Sequence, residues 1–167
     1  MTLGDAAAPR AWSLVGPYGS GKSSFAVFVA NLLAAPDGDI AQVARRILTK
    51  ANPELGRKIE RQLRGTRGFC RVLLTGSPES LSRRFVQSLL LGAERFWGAK
   101  RGPAPRILGK LRTATKRTDL QTSEVLAMLG ALQAAVAKSG GRGVLIVIDE
   151  LGKFLEYEAR HYGANDI

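Results

Sequence analysis

The sequence predicts an α/β domain built on a mainly parallel central sheet, and three observations carry that prediction. A glycine-rich run, Gly16-Pro17-Tyr18-Gly19-Ser20-Gly21-Lys22-Ser23, stands between a short apolar stretch and an amphipathic segment. A run of five aliphatics, Val144 to Ile148, ends on two carboxylates, Asp149 and Glu150. Between these two places a further apolar run of strand length is flanked by segments whose apolar residues recur at helical spacing, the alternation expected of βα units.

Taken in order, Ala11 to Val15 reads as a short buried strand running into the glycine loop. Phe25, Phe28, Val29, Leu32 and Leu33 follow at helical spacing, and the run Ala34-Ala35-Pro36-Asp37-Gly38 ends that helix. Asp39 is suited to cap a second helix carrying Ile40, Val43, Ala44, Ile47 and Leu48. Asn52-Pro53 reads as an N-cap with proline at the first helical position, opening a third helix with Leu55, Ile59 and Leu63 inward. Phe69 to Thr75 is the next strand, ending at Gly76. Ser77-Pro78 repeats the cap-and-proline signal before a helix whose broad apolar face comprises Leu81, Phe85, Val86, Leu89, Leu90, Ala93, Phe96 and Trp97. Residues 98–118 break regularity with Gly102, Pro103, Pro105 and Gly109 and read as a basic loop, with a helical turn around Leu108 to Leu111. Ser123 to Lys138 is an amphipathic helix stopped by the glycines after Ser139. Val144 to Ile148 reads as a central strand covered on both faces, and Leu151, Phe154 and Leu155 as the apolar face of a short final helix.

The glycine run fits G-x-x-x-x-G-K-[ST] without a mismatch, and the physical chemistry of that pattern is phosphate binding. Glycines let successive amides turn inward, including at positive φ, where a Cβ would obstruct them. The resulting nest of N–H groups and the N-terminus of the following helix together attract an anion. The candidate nucleotide-binding residues are Gly16, Pro17, Tyr18, Gly19, Ser20, Gly21, Lys22, Ser23 and Ser24. Lys22 would reach the β/γ-phosphates, and the Ser23 hydroxyl would be a ligand of Mg²⁺. An acid pair at the C-terminal end of a parallel strand lies where ligands bind in open α/β sheets. There Asp149 would act as the second metal ligand, through water, and Glu150 would position or activate an attacking water. A plain strand followed by an acidic helix start would have the same two residues, since acids favour helix N-termini.

Together the two motifs resemble the P-loop NTPases, and the adjacent Asp149 and Glu150 point to the branch with a catalytic glutamate, which includes the AAA+ and STAND ATPases. That resemblance implies a three-layer fold, here incomplete at its C-terminus, and Mg²⁺-dependent ATP hydrolysis with Lys22 and Glu150 in catalytic roles. The run from Asp149 to Glu156 is similar to a stretch in large bacterial ATP-binding proteins, some associated with DNA processing or phage defence. Asp149-Glu150-Leu151-Gly152 also satisfies the D-x-x-G of GTPases, although no Asn-Lys-x-Asp follows. A small-molecule kinase and a nucleotide-dependent switch with little hydrolysis are further alternatives. The sensor residue, arginine finger and helical lid of the AAA+ pattern have no counterpart after Glu150. The expected organisation is thus a loose lead-in over 1–9 and a partial ATPase domain over 10–167, with a basic helical insertion at 39–67. Such a piece of a larger ATPase, completed by remaining domains or by a second copy, is expected to turn over slowly alone.

Composition bounds the rest. The chain has 167 residues, 45% of them hydrophobic, enough for a globular core, with no stretch of transmembrane length and no signal-peptide pattern. Its one cysteine, Cys70, excludes an internal disulfide, which suits a cytoplasmic location. Cys70 lies in an apolar run and reads as a buried structural thiol, and the lone His161 as a surface residue. The formal charge of +11 is concentrated between Ala41 and Arg117, where 19 lysines and arginines face four acids. That region is the expected contact for nucleic acid, although a well-solvated surface would have the same charge. Aromatic residues are sparse in it, which argues against stacking on bases.

Overall fold

A computed structural model describes residues 10–98 and 105–162. The expected lead-in over 1–9, part of the basic loop and the last five residues lie outside that range. The chain divides into two compact units, residues 1–64 and 65–167. Among the described residues the architecture is mixed α/β, with seven helices and a parallel sheet of two strands.

The N-terminal unit is helical: α1 (Lys22–Leu32), α2 (Asp39–Ala51) and α3 (Pro53–Leu63). Ala11 to Val15 forms no strand, and all five residues are exposed. An extended segment acquires strand character by ladder pairing and by packing a face, and this one has neither. The expected cap at Asp39 is shifted by one residue, because α2 begins at Asp39 with Gly38 as its N-cap. The face of α2 also differs from expectation. Its buried residues are Ala41 and Ala44, whereas Ile40, Val43 and Ile47 are exposed. Small side chains let α2 pack close to its neighbours, and this overrides the larger aliphatic stripe. The start of α3 follows the sequence: Pro53 is its first residue, and the Asn52 Oδ1 accepts from the Leu55 N–H at 3.0 Å. Leu63 is buried inward as expected, whereas Leu55 is exposed.

The C-terminal unit contains β1 (Phe69–Thr75), α4 (Leu81–Trp97), α5 (Arg106–Ala114), α6 (Thr122–Lys138), β2 (Gly143–Asp149) and α7 (Leu151–Tyr162). The two strands run parallel, in register from Phe69 beside Gly143 to Thr75 beside Asp149. Cys70, Val72 and Leu74 alternate inward on β1 and meet Val86, Leu89 and Ala93 of α4. Leu111, Leu132, Val136 and Phe154 complete the same cluster from α5, α6 and α7. β2 is not the strand covered on both faces that its aliphatic run predicts. Most of its residues are only half-buried and Ile148 is exposed, because helices cover one face of a two-stranded sheet. The signal at Ser77-Pro78 opens no helix; α4 begins three residues further on, after Ser80. The basic loop 98–118 contains a full helix, α5, in place of a single turn, since Ile107, Leu108 and Leu111 have a core to enter.

Cys70 is fully buried, and that burial pushes its thiol up to about 12, so it acts as a small core hydrophobe. His161 is exposed and stacks on Tyr157. No helix among the described residues is long and apolar enough to cross a membrane.

Candidate nucleotide site

The residues of the glycine run lie in the N-terminal unit and lead directly into α1. Gly19 and Gly21 both take positive φ, 77° and 83°, in the left-handed region where glycine has no Cβ to clash. Gly21 is the N-cap of α1, and no side chain caps that end. The first N–H groups of α1 therefore keep their capacity for an external acceptor. Lys22 opens the helix and folds its side chain back over the loop. Its ammonium donates to the carbonyl oxygens of Gly16 at 2.9 Å and Pro17 at 2.7 Å. The Ser23 and Ser24 side chains stand exposed on the first turn of α1, and Tyr18 is fully exposed at the loop tip.

This arrangement is what an anion-binding loop requires: a cation, a helix N-terminus and glycine-dependent turns within one short stretch. In the observed state the loop's own carbonyls satisfy the Lys22 ammonium. A phosphate oxygen presented to the loop would compete for the same donor.

The acid pair lies in the C-terminal unit, where β2 passes into α7. Asp149 is half-buried and aligned with Thr75 at the C-terminal edge of the sheet. Its Oδ1 accepts from the Glu150 N–H at 3.0 Å, and its Oδ2 makes no hydrogen bond among the described residues. Glu150 is the one non-glycine residue at positive φ among those described, at 53°. Its carboxylate accepts from the Lys153 ammonium at 2.7 Å. The left-handed backbone turns the chain sharply from strand into helix and leaves the Glu150 side chain exposed.

Two neighbours of the acid pair escaped the sequence reading. Gly76 sits at the end of β1, and its N–H donates to the Asp149 carbonyl at 2.9 Å. A Cβ at position 76 would run into the Glu150 carbonyl oxygen, so this close approach needs glycine. The sequence showed Gly76 only as the end of a strand. Lys153 lies one helical turn beyond Glu150, and that i, i+3 spacing was the available signal for the pair.

For a divalent cation the relevant donors are the Ser23 hydroxyl and the Asp149 carboxylate. Each is a hard oxygen of the kind Mg²⁺ takes, the first in the N-terminal unit and the second in the C-terminal unit.

Comparison with known protein families, characterised proteins and solved structures finds no match for this chain.

Proposed function

We propose that this chain binds ATP and takes part in its Mg²⁺-dependent hydrolysis as part of a P-loop ATPase core of the catalytic-glutamate branch. The observation that supports this most is the loop from Gly16 to Ser23. Its two left-handed glycines, uncapped helix start and inward-folded lysine coincide with the residues that fit the motif. In this reading the loop amides and Lys22 hold the β/γ-phosphates. Ser23 and Asp149 would each serve as a ligand of Mg²⁺, Asp149 through water, and the ion would supply charge neutralisation at the phosphate oxygens. Glu150 orients the attacking water and accepts its proton.

In this reading full turnover also calls for a cation to meet the developing negative charge. It would come from a second copy or from further domains. A larger assembly acting on DNA or in phage defence is the setting that the motif resemblance suggests.

One observation favours the switch alternative, in which ATP occupancy matters more than its hydrolysis. The Glu150 carboxylate accepts from the Lys153 ammonium at 2.7 Å, and an oxygen held in that pair is not free to orient a water.

Titration with ATP and Mg²⁺, combined with a turnover assay on the same samples, tests the proposal. Lys22→Ala is expected to weaken ATP binding at least about tenfold, equivalent to about 1.4 kcal/mol. Glu150→Gln is expected to leave affinity within about twofold and to remove whatever turnover exists. Unchanged ATP affinity in Lys22→Ala would sink the assignment of the loop.

A further inference from the structure

We propose that the exposed face of α3 binds the phosphodiester backbone of a nucleic acid through Arg57, Arg61 and Arg64. This site is separate from the nucleotide loop and does not rest on the ATPase reading.

The cations in the middle of the chain are not equivalent. Arg45 donates to the carbonyls of Leu32 and Ala34. Arg67 donates to the Phe96 carbonyl and lies 4.7 Å from the centre of that ring. Arg112 pairs with Glu94, and Arg117 with Asp119 and Glu124. These guanidinium groups are committed within the fold. Arg57, Arg61 and Arg64 are exposed, and none makes a hydrogen bond or ion pair with another described residue.

Arg57 and Arg61 lie on α3 and Arg64 is its C-cap, and the i, i+4, i+7 spacing sets them on one side over about 10 Å. Gly56 and Leu63 on the other side are buried, which leaves the arginine side to solvent. The three arginines line one shallow depression together with Glu60. Three unpaired guanidinium forks in a row suit successive phosphates, because each fork can donate two parallel hydrogen bonds to one phosphate. No aromatic side chain lines the depression, so contact is with the backbone and is independent of base sequence. No apolar side chain lines it either, so an anionic lipid surface would be held by charge alone, without an inserted anchor.

Glu60 acts against the site. Its carboxylate lines the same depression as the three arginines, which places its charge beside theirs. It should weaken phosphate binding, and that gives the proposal a test of opposite sign.

The experiment uses the full chain without ATP and follows fluorescence anisotropy of a labelled mixed-sequence DNA duplex and single strand of about 20 nucleotides across a salt series. Binding is expected at low salt, and each arginine replaced by glutamine should lower the log K against log salt slope by about 0.9 on duplex, or about 0.7 on single strand. The triple variant Arg57→Gln, Arg61→Gln, Arg64→Gln should lose at least about tenfold in affinity. Glu60→Gln should gain about threefold, a result that misfolding cannot produce. Arg112→Gln removes the same charge as Arg61→Gln from a paired arginine and should change little. Equal losses in Arg61→Gln and Arg112→Gln would assign the binding to diffuse charge and overturn the proposal. So would wild-type affinity in the triple variant, or binding to phosphatidylserine vesicles but to neither nucleic acid.

Discussion

At the scale of single residues, the most informative backbone is that of Glu150. A glutamate in the left-handed region costs about 1–2 kcal/mol relative to ordinary conformations, and such strain persists where surrounding structure enforces it. Here the enforcing contacts are the Gly76 N–H on the Asp149 carbonyl and the Glu150 N–H on the Asp149 carboxylate. The sequence marks Glu150 as chemically interesting because it follows Asp149 at a strand end. It gives no sign that the residue is strained, because φ is set by the sheet and α7 meeting at that point. Gly76 was equally silent, since its need for glycine comes from a partner many residues away. A glycine at position 150 would adopt the observed φ without penalty. Glu150→Gly is therefore expected to hold or raise stability, by up to about 1 kcal/mol, while removing any turnover. Glu150→Gln keeps the Cβ and should leave stability unchanged. Urea midpoints of the two variants make the comparison, and a clear loss of stability in Glu150→Gly would show that the conformation is unstrained.

At the scale of elements, the sequence was readable wherever a local rule had no competitor. Asn52-Pro53 opens α3 as expected, because a side-chain acceptor and a fixed φ act within one turn. The range of β1 was readable because its apolar run is bounded by Gly68 and Gly76. Failures came where packing chose between local options. α2 buries its alanines and leaves its aliphatics exposed, and Ala11 to Val15 finds no strand to pair with. The start of α6 was readable to within one residue, but the device that fixes it was not. The Gln121 N–H donates to Glu124 Oε2 at 3.0 Å, and Arg117 from the preceding turn donates to both Glu124 and Asp119. Hydrogen bonds from Arg117 are the main reason that both carboxyls are held below their ordinary values of 3.8 and 4.5. A carboxylate whose pKa is lower in the folded state contributes stability above its unfolded pKa and loses it as pH falls through the folded one. The α6 start should therefore keep this contribution at neutral pH and lose it progressively below about pH 4. The effect is small because the groups are exposed. In Arg117→Gln the acid-induced loss should be shallower than in the wild type, as read from thermal midpoints between neutral and acidic pH. Parallel pH profiles would remove the network as a source of stability.

At the scale of the whole molecule, the two units differ in what holds them together. The N-terminal unit buries Ala30, Leu32, Leu33, Ala34, Ala41, Ala44 and Leu63, a set dominated by small side chains. The C-terminal unit buries Val72, Leu74, Val86, Leu89, Leu111, Leu132, Val136 and Phe154 around a sheet. Burial of a large aliphatic or aromatic side chain contributes about 1.5–3 kcal/mol, and alanine far less, so the second unit should be the more stable. The sequence suggested a single domain because length and motif order favoured one. It could not weigh the two cores, since that depends on which apolar residues become buried. The chain has two tryptophans, and they report on different units. Trp12 is exposed in the first, and Trp97 in the second donates its indole N–H to the Ser139 hydroxyl at 3.0 Å. In a Trp12→Phe variant, fluorescence therefore follows the C-terminal unit alone, whereas far-UV circular dichroism follows the helices of both. On urea titration the dichroism should begin to fall before the Trp97 signal changes, because α1 to α3 melt first. Coincident transitions by both probes would mean one cooperative unit and would rule out separate melting of the two.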